Sequence, residues 1–285
     1  MTLPTAAAPA QIAVTHTLLD AQGRVLSSDG PGRPHYAAST IKLHVLQAAL
    51  RAAADGALDL AAEVPATRTF TGVDGARFTL DGDHLDPTHP ADGTPIAVRD
   101  LLLRMIDRSS NEATNQVTEL IGLPAVAATI TALGLVSTRM QRLIGDGAAL
   151  AQGLTNETSA ADLAETMRVV VRGGDSIGLD RQDLALAEQG VGPAAPGVTR
   201  QGLALARDAL RAQQIPVIGT VLRVGVEWGS KSGWVDGFRH DVAYIGDPEG
   251  ADLRILAVMT AGLPAEVADQ RITALARELL DSARG

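Results

Sequence analysis

Strand-forming runs occupy the two ends of this chain, and helical periodicity fills its middle. Residues 12–19 read IAVTHTLL, apolar and β-branched, and Asp20-Ala21-Gln22-Gly23 turns into the short run RVLSS. That pattern predicts a hairpin. Three more apolar runs follow Pro216, near 221–230, 239–246 and 253–261, the last two joined through Gly246-Asp247-Pro248-Glu249-Gly250. Between the two ends, 39–54, 97–107, 112–121, 123–133, 159–172 and 201–213 carry helical periodicity, and a final helix fits 264–283. Residues 66–97 and 173–200 are rich in Gly and Pro and read as loop. The pattern predicts an α+β fold: an antiparallel sheet of about five strands from both chain ends, flanked by helices, with an inserted all-helical lobe. The expected lobes are 10–55 with 215–285, and 56–214. The 285 residues suffice for one such two-lobed unit.

Composition narrows the function. Hydrophobic residues make up 46% and aromatics only 2%, so the core must be built from Ala, Leu, Val and Ile. A net charge of −9 argues against a nucleic-acid surface, which needs clustered positive charge. No apolar run approaches the roughly 18–20 residues of a membrane helix. The absence of cysteine excludes disulfides, thiolate metal sites and a cysteine nucleophile. The N-terminus, MTLPTAAAPAQ, has neither a basic n-region nor a long apolar h-region. As it stands it points to the cytoplasm, or to the periplasm or secretion if a leader has been trimmed.

Of 24 basic residues only Lys42 and Lys231 are lysine; all the others are arginine. Arginine stays charged, whereas a buried lysine can lose its proton. Lys42 ends Ser39-Thr40-Ile41-Lys42, and residues three apart on a helix share a face. A serine is a poor nucleophile until a neighbouring base accepts its proton. Lys231 lies in Gly229-Ser230-Lys231-Ser232-Gly233-Trp234, where small residues let a ligand approach the backbone of a strand that follows. A third motif, Asp107-Arg108-Ser109-Ser110-Asn111-Glu112, falls between two helices.

S-x-x-K, then S-x-N, then K-[ST]-G in that order resembles the penicillin-recognising serine enzymes, class A β-lactamases among them. The segments GTPIAVRDLLLRMIDRSSNEATN and KSGWVDGFRHDVAYI are similar to the same family, and the likeness covers about residues 12–283. The resemblance implies a serine hydrolase acting on β-lactams or related amides through an acyl-enzyme. It implies Ser39 as nucleophile, Lys42 as its activator, and Ser109 as proton relay aided by Lys231. It further implies that Asn111 binds the substrate amide and that Ser232 binds a carboxylate, with Arg239 helping. The N–H groups of Ser39 and Trp234, beside Gly233, would form an oxyanion hole. No cofactor or metal is implied; the partner is a small molecule, and a monomer is expected. A D-alanyl peptidase or esterase on the same scaffold, or a non-catalytic binding module, are the alternatives.

The pattern breaks in two places. Ser110 replaces the aspartate of S-D-N. The glutamate with which class A enzymes release the acyl group, in E-x-x-L-N, has no clear counterpart. If Asn156 is the asparagine of that run, Gln152 stands in the glutamate's place, and an amide cannot accept a proton from water. Asp146 and Glu157 are the nearby carboxylates, read as solvated loop charges. Arg239 is one residue closer to the lysine than in the family. Other signals read as structural. Asp81–His89 lacks the spacing of a calcium loop and reads as an exposed acidic loop. His44 belongs to the core, and His240 and Asp241, adjacent on a strand, face opposite ways.

Overall fold

The computed structural model describes residues 11–82, 85–173 and 197–282. Asp83 and His84 of the acidic run, and most of the Gly- and Pro-rich 173–200 stretch, lie outside the described residues. The chain begins with β1 (Ala13–Asp20), β2 (Val25–Asp29) and β3 (His35–Tyr36), then a 3-10 turn, Ala38–Thr40, and α1 (Ile41–Ala54). Four short strands, β4 (Glu63–Pro65), β5 (Thr69–Thr71), β6 (Arg77–Thr79) and β7 (Pro95–Ala97), precede α2 (Val98–Asp107), α3 (Asn111–Ile121) and α4 (Leu123–Ala132). Then come β8 (Arg139–Met140), α5 (Gly147–Ala151), β9 (Asn156–Thr158), α6 (Ala160–Arg172) and α7 (Arg200–Arg211). A second 3-10 turn, Ile218–Val221, leads to β10 (Trp228–Val235), β11 (Phe238–Ile245), β12 (Arg254–Ala261) and α8 (Ala265–Ser282).

The main sheet has the order β10-β11-β12-β1-β2, antiparallel throughout. The two ends of the chain join where β1 pairs with β12, from Ala13↔Ala261 to Asp20↔Arg254. Alternation along β12 shows why the strand reads as unbroken apolar sequence: both faces are covered. Ile255, Ala257 and Met259 pack into the core with α1, α2 and α6, while Leu256 and Val258 pack against Ile272, Ala276 and Leu280 of α8. Short two- and three-stranded sheets also stitch the inserted region: β4 with β7, β5 with β6, and β3-β9-β8.

One expected strand moves. The apolar run at 221–230 is not extended; Gly225 sits at φ 88°, a left-handed turn, and the strand begins only at Trp228. Lys231 is therefore in the middle of edge strand β10 rather than ahead of it. On the opposite side of the site, α1 is buried on every face from Ile41 to Leu50. A helix of that kind sits inside the core, so its polar Lys42, His44 and Gln47 stand out.

Candidate active site

The segment before α1 is held from both sides. The Ala37 N–H donates to the Asn156 carbonyl (2.9 Å), and Thr40 Oγ1 donates to the Ala37 carbonyl (2.6 Å). Ala38 is left at φ 47°, a region costly for a residue with a Cβ. This turn leaves Ser39 partly exposed at the head of a buried helix. One helical turn on, Lys42 Nζ lies 3.1 Å from Ser39 Oγ. Ser109 is the second left-handed non-glycine residue (φ 59°), and that conformation aims both its carbonyl and its hydroxyl at Lys42 Nζ, at 2.6 and 3.0 Å. Asn111 Oδ1 accepts from Lys42 at 2.7 Å. From β10, Lys231 Nζ reaches Ser109 Oγ at 3.1 Å and the Ser232 carbonyl at 2.7 Å. Ser39, Lys42, Ser109, Asn111 and Lys231 thus share one network.

Lys42 Nζ has four close oxygens, one more than either an ammonium, with three hydrogens, or an amine, with two hydrogens and a lone pair, engages singly. In its neutral form the amine would donate to the two carbonyl oxygens, the shortest contacts, and leave its lone pair for the Ser39 hydroxyl proton. Burial drives the Lys42 pKa well below the usual lysine value, and the charge of Lys231 pushes the same way, against Glu112. Burial brings Lys231 down to about 7, with Asp241 opposing. Every hydrogen-bond partner of the two lysines among the described residues is uncharged.

β10 lies against the serine turn at Gly233. A Cβ there would stand 2.9 Å from Thr40 N and 3.0 Å from Ser39 N, closer than side chains approach backbone. Ser232 pairs with Asp241 across the sheet, so it faces away from Lys231, on the face shared with Arg239. The Arg239 Nε donates to Asp269 Oδ1 of α8 (2.6 Å), so its charge is already matched. Trp234 is 47% exposed beside it. Together with Gly262, Leu263 and Pro264, Trp234 and Arg239 border a cavity of about 430 Å³.

The loop between β8 and β9 departs from expectation. Asn156 is a buried clamp: its Oδ1 accepts from Gln141 N (3.0 Å) and its Nδ2 donates to the Arg142 carbonyl (3.1 Å). Gln152 ends α5 in solvent and makes no hydrogen bond to the serine or either lysine. Asp146 is not a solvated charge: it is buried, capping α5 at Ala149 N (2.9 Å) and accepting from Val73 N (2.9 Å). Glu157 is ion-paired with Arg139. What the loop presents to α3 is Ile144, whose N–H and carbonyl are both bonded to the Asn115 side chain at 2.8 Å. Asn115 lies one turn past Asn111 on the same helix face, so this clamp was open to detection in the sequence as an i, i+4 pair of asparagines.

The other residues fall as the strand and helix periods dictate. His44 is buried between Thr158 Oγ1 (3.2 Å) and Thr166 Oγ1 (3.0 Å). His240 Nε2 donates to the Tyr36 carbonyl (2.9 Å), while Asp241 turns the other way to accept from Val217 N and Ile218 N. Asp86 is a correction to the exposed-loop reading, being buried against Arg104 at 3.2 Å. Among the described residues no three metal-ligating side chains cluster, and no helix is long and apolar enough to cross a membrane.

Comparison with known proteins extends this. No curated protein matches the sequence. Solved structures do. A β-lactamase from Sphaerobacter thermophilus superposes with a TM-score of 0.71 at 25% identity, over 95% of this chain and 91% of its own. A β-lactamase from Xanthomonas campestris pv. campestris gives 0.72 at 20% identity, over 94% and 91%. A reconstructed class A β-lactamase, the last common ancestor of Gram-negative bacteria, gives 0.70 at 21% identity, over 96% and 94%. The profile of the Beta-lactamase enzyme family matches residues 5–186 and 195–283, and with nearly the whole chain so covered, this protein belongs to that family of β-lactamase-like serine hydrolases.

Proposed function

We propose that the chain forms an acyl-enzyme through Ser39 with β-lactams or related amides, and that its release is slow. The single observation carrying this reading is the hydrogen-bonded meeting of Ser39, Lys42, Ser109 and Lys231. Neutral Lys42 takes the hydroxyl proton as Ser39 Oγ bonds to the carbonyl carbon. Negative charge then develops on the carbonyl oxygen and is met by the N–H groups of Ser39 and Trp234, which Gly233 allows to lie close. As the C–N bond breaks, Ser109 delivers its proton to the nitrogen and takes in exchange the one Lys42 received, its hydroxyl polarised by protonated Lys231. Asn111 holds the substrate amide and Ser232 receives its carboxylate, while Arg239, engaged by Asp269, takes no part in this scheme.

Release needs a base for water, and the loop's carboxylates are engaged elsewhere, Asp146 by Ala149 N and Val73 N and Glu157 by Arg139, while Gln152 is exposed. The same lack supports a second reading, a D-alanyl peptidase or esterase with poor β-lactam turnover. Intact-protein mass after incubation with a penicillin, alongside nitrocefin hydrolysis, tests both. The expected result is a persistent single adduct, absent in Ser39→Ala and formed at least about 100-fold more slowly in Lys42→Arg, whose base is lost. No adduct and no nitrocefin turnover would leave only a binding module.

A further inference from the structure

Glu112 directly follows the asparagine that touches Lys42, in the first turn of α3, and it is fully buried. A buried carboxylate is costly unless it is bonded and electrically balanced. Its bonds are complete: Oε1 accepts from Asp86 N (2.9 Å) and Oε2 from Ser110 Oγ (2.9 Å). Ser110 Oγ also accepts from Ala113 N (3.2 Å) as the cap of α3. The balance is less obvious. Of the charges around it, Arg104 on α2 is taken by Asp86 at 3.2 Å, and Arg108 by Asp107 at 2.9 Å. Burial lowers the His89 pKa, with Glu112 and Asp86 opposing. Lys42 on α1, by contrast, has no carboxylate among its hydrogen-bond partners in the described residues, and the carboxylate that acts on its charge is Glu112. The serine at the centre of the S-S-N motif completes the picture. Where the family motif has an aspartate, Ser110 contributes only a hydroxyl, and that hydroxyl is bonded to the carboxylate two residues on.

We propose that Glu112 is the counter-charge of this active site, a positioning residue that fixes the Ser110–Asn111 turn and balances Lys42 in its protonated form. The idea rests on the proposed role of Lys42 as a base. Glu112 favours the proton on Lys42 and Lys231 opposes it, so the two set the pH at which Lys42 becomes a free base. Glu112→Gln keeps the shape and removes the charge. Lys42 then loses its proton more easily, and the acid limb of Ser39 acylation moves to lower pH, by about one unit. A merely structural role would lower the rate at every pH and leave the limb in place.

The test is the pH dependence of adduct formation with a penicillin, read by intact mass from pH 4.5 to 9, for the parent, Glu112→Gln and Ser110→Asp/Glu112→Gln. The double variant returns a carboxylate to the same pocket on a residue that also caps helices, and its limb is expected to lie near the parent's. A Glu112→Gln limb that coincides with the parent's overturns the proposal. If Glu112→Gln does not fold, the double variant decides: it must fold and keep the parent's limb, and failure of either sinks the idea. Absence of any adduct in the parent is a different result, which refutes the proposed function itself.

Discussion

The approach of β10 to the serine turn makes Gly233 the most demanding test of the site. A methyl group there would lie 2.9 Å from Thr40 N, 3.0 Å from Ser39 N and 3.0 Å from Thr40 Cγ2, where ordinary contacts begin at 3.4 Å. Two of those three atoms are backbone, so no rotamer change relieves the clash; the strand and the turn must separate by about 0.5 Å. An error of about 1 Å in reacting geometry costs on the order of 100-fold in rate, so half that displacement should cost about 10-fold. Overpacking of this kind also destabilises by about 1–3 kcal/mol, a fall of several degrees in Tm for a chain of this size. Gly233→Ala should therefore acylate about 10-fold more slowly than the parent, measured as the second-order rate of adduct formation by intact mass, with a lowered but cooperative melt. Gly32→Ala, where a methyl meets nothing within 4 Å, is the control and should change neither. A folded Gly233→Ala with the parent's acylation rate would show that the strand–turn contact does not set the reacting geometry.

Two further outcomes follow from the same coordinates. Lys231 is held at about 7 in the fold against about 10.4 when unfolded, so between those values the unfolded chain binds the extra proton and stability rises with pH. Asp241 is raised to about 6 by burial, so there the folded chain holds the proton and stability falls as pH climbs from about 4 to about 6. Melting temperature should dip between about pH 6 and 7; Asp241→Asn should flatten the lower side and Lys231→Met reduce the upper rise, and a featureless parent profile would contradict both shifts. For the loop, Ile144→Glu should shorten the lifetime of the penicillin adduct by 10-fold or more, on the scale of an added general base, while Gln152→Glu leaves it unchanged; equal lifetimes in the two variants would mean that the Asn115 clamp does not face the acyl group.

The sheet was legible because its strands announce themselves locally. IAVTHTLL and the run ending in LAVMTA are apolar and β-branched, and their places at opposite ends of the chain leave pairing with each other as the natural closure. The candidate site was legible for a different reason: three short motifs, two of them marked by the two lysines among 24 basic residues, stand out in the sequence, and the structure joins them in one hydrogen-bonded network. What sequence did not reveal are the facts decided across space. The start of β10 was misplaced because apolar content at 221–227 does not disclose the left-handed Gly225. The loop was misread because Asn156 suggested a register by spacing, whereas the chain is pinned by side-chain clamps from Asn115, Asn156 and Asp146 to backbone. The pairing of Arg239 with Asp269 joins a strand to a helix 30 residues on, with no periodicity linking them.

The two lysines also explain one another. Either one alone, buried this deeply, would be driven toward its neutral form. Together, with only neutral hydrogen-bond partners, they repel when both are charged, and the charge of Lys231 adds to burial in lowering the pKa of Lys42. The contacts break the symmetry. Lys42 faces two carbonyl oxygens and the hydroxyls of Ser39 and Ser109, whereas Lys231 faces one carbonyl oxygen and the same Ser109 hydroxyl and does not touch the Ser39 hydroxyl. In the proposed mechanism the base and the electrostatic helper are therefore the same kind of residue, distinguished by which lysine holds the proton. Arginine could fill neither place: it would remain charged beside Ser39, and in β10 it would be too broad and too rigid for the contact Lys231 makes with Ser109. A chain that uses arginine everywhere else keeps lysine at the two positions that meet at Ser109.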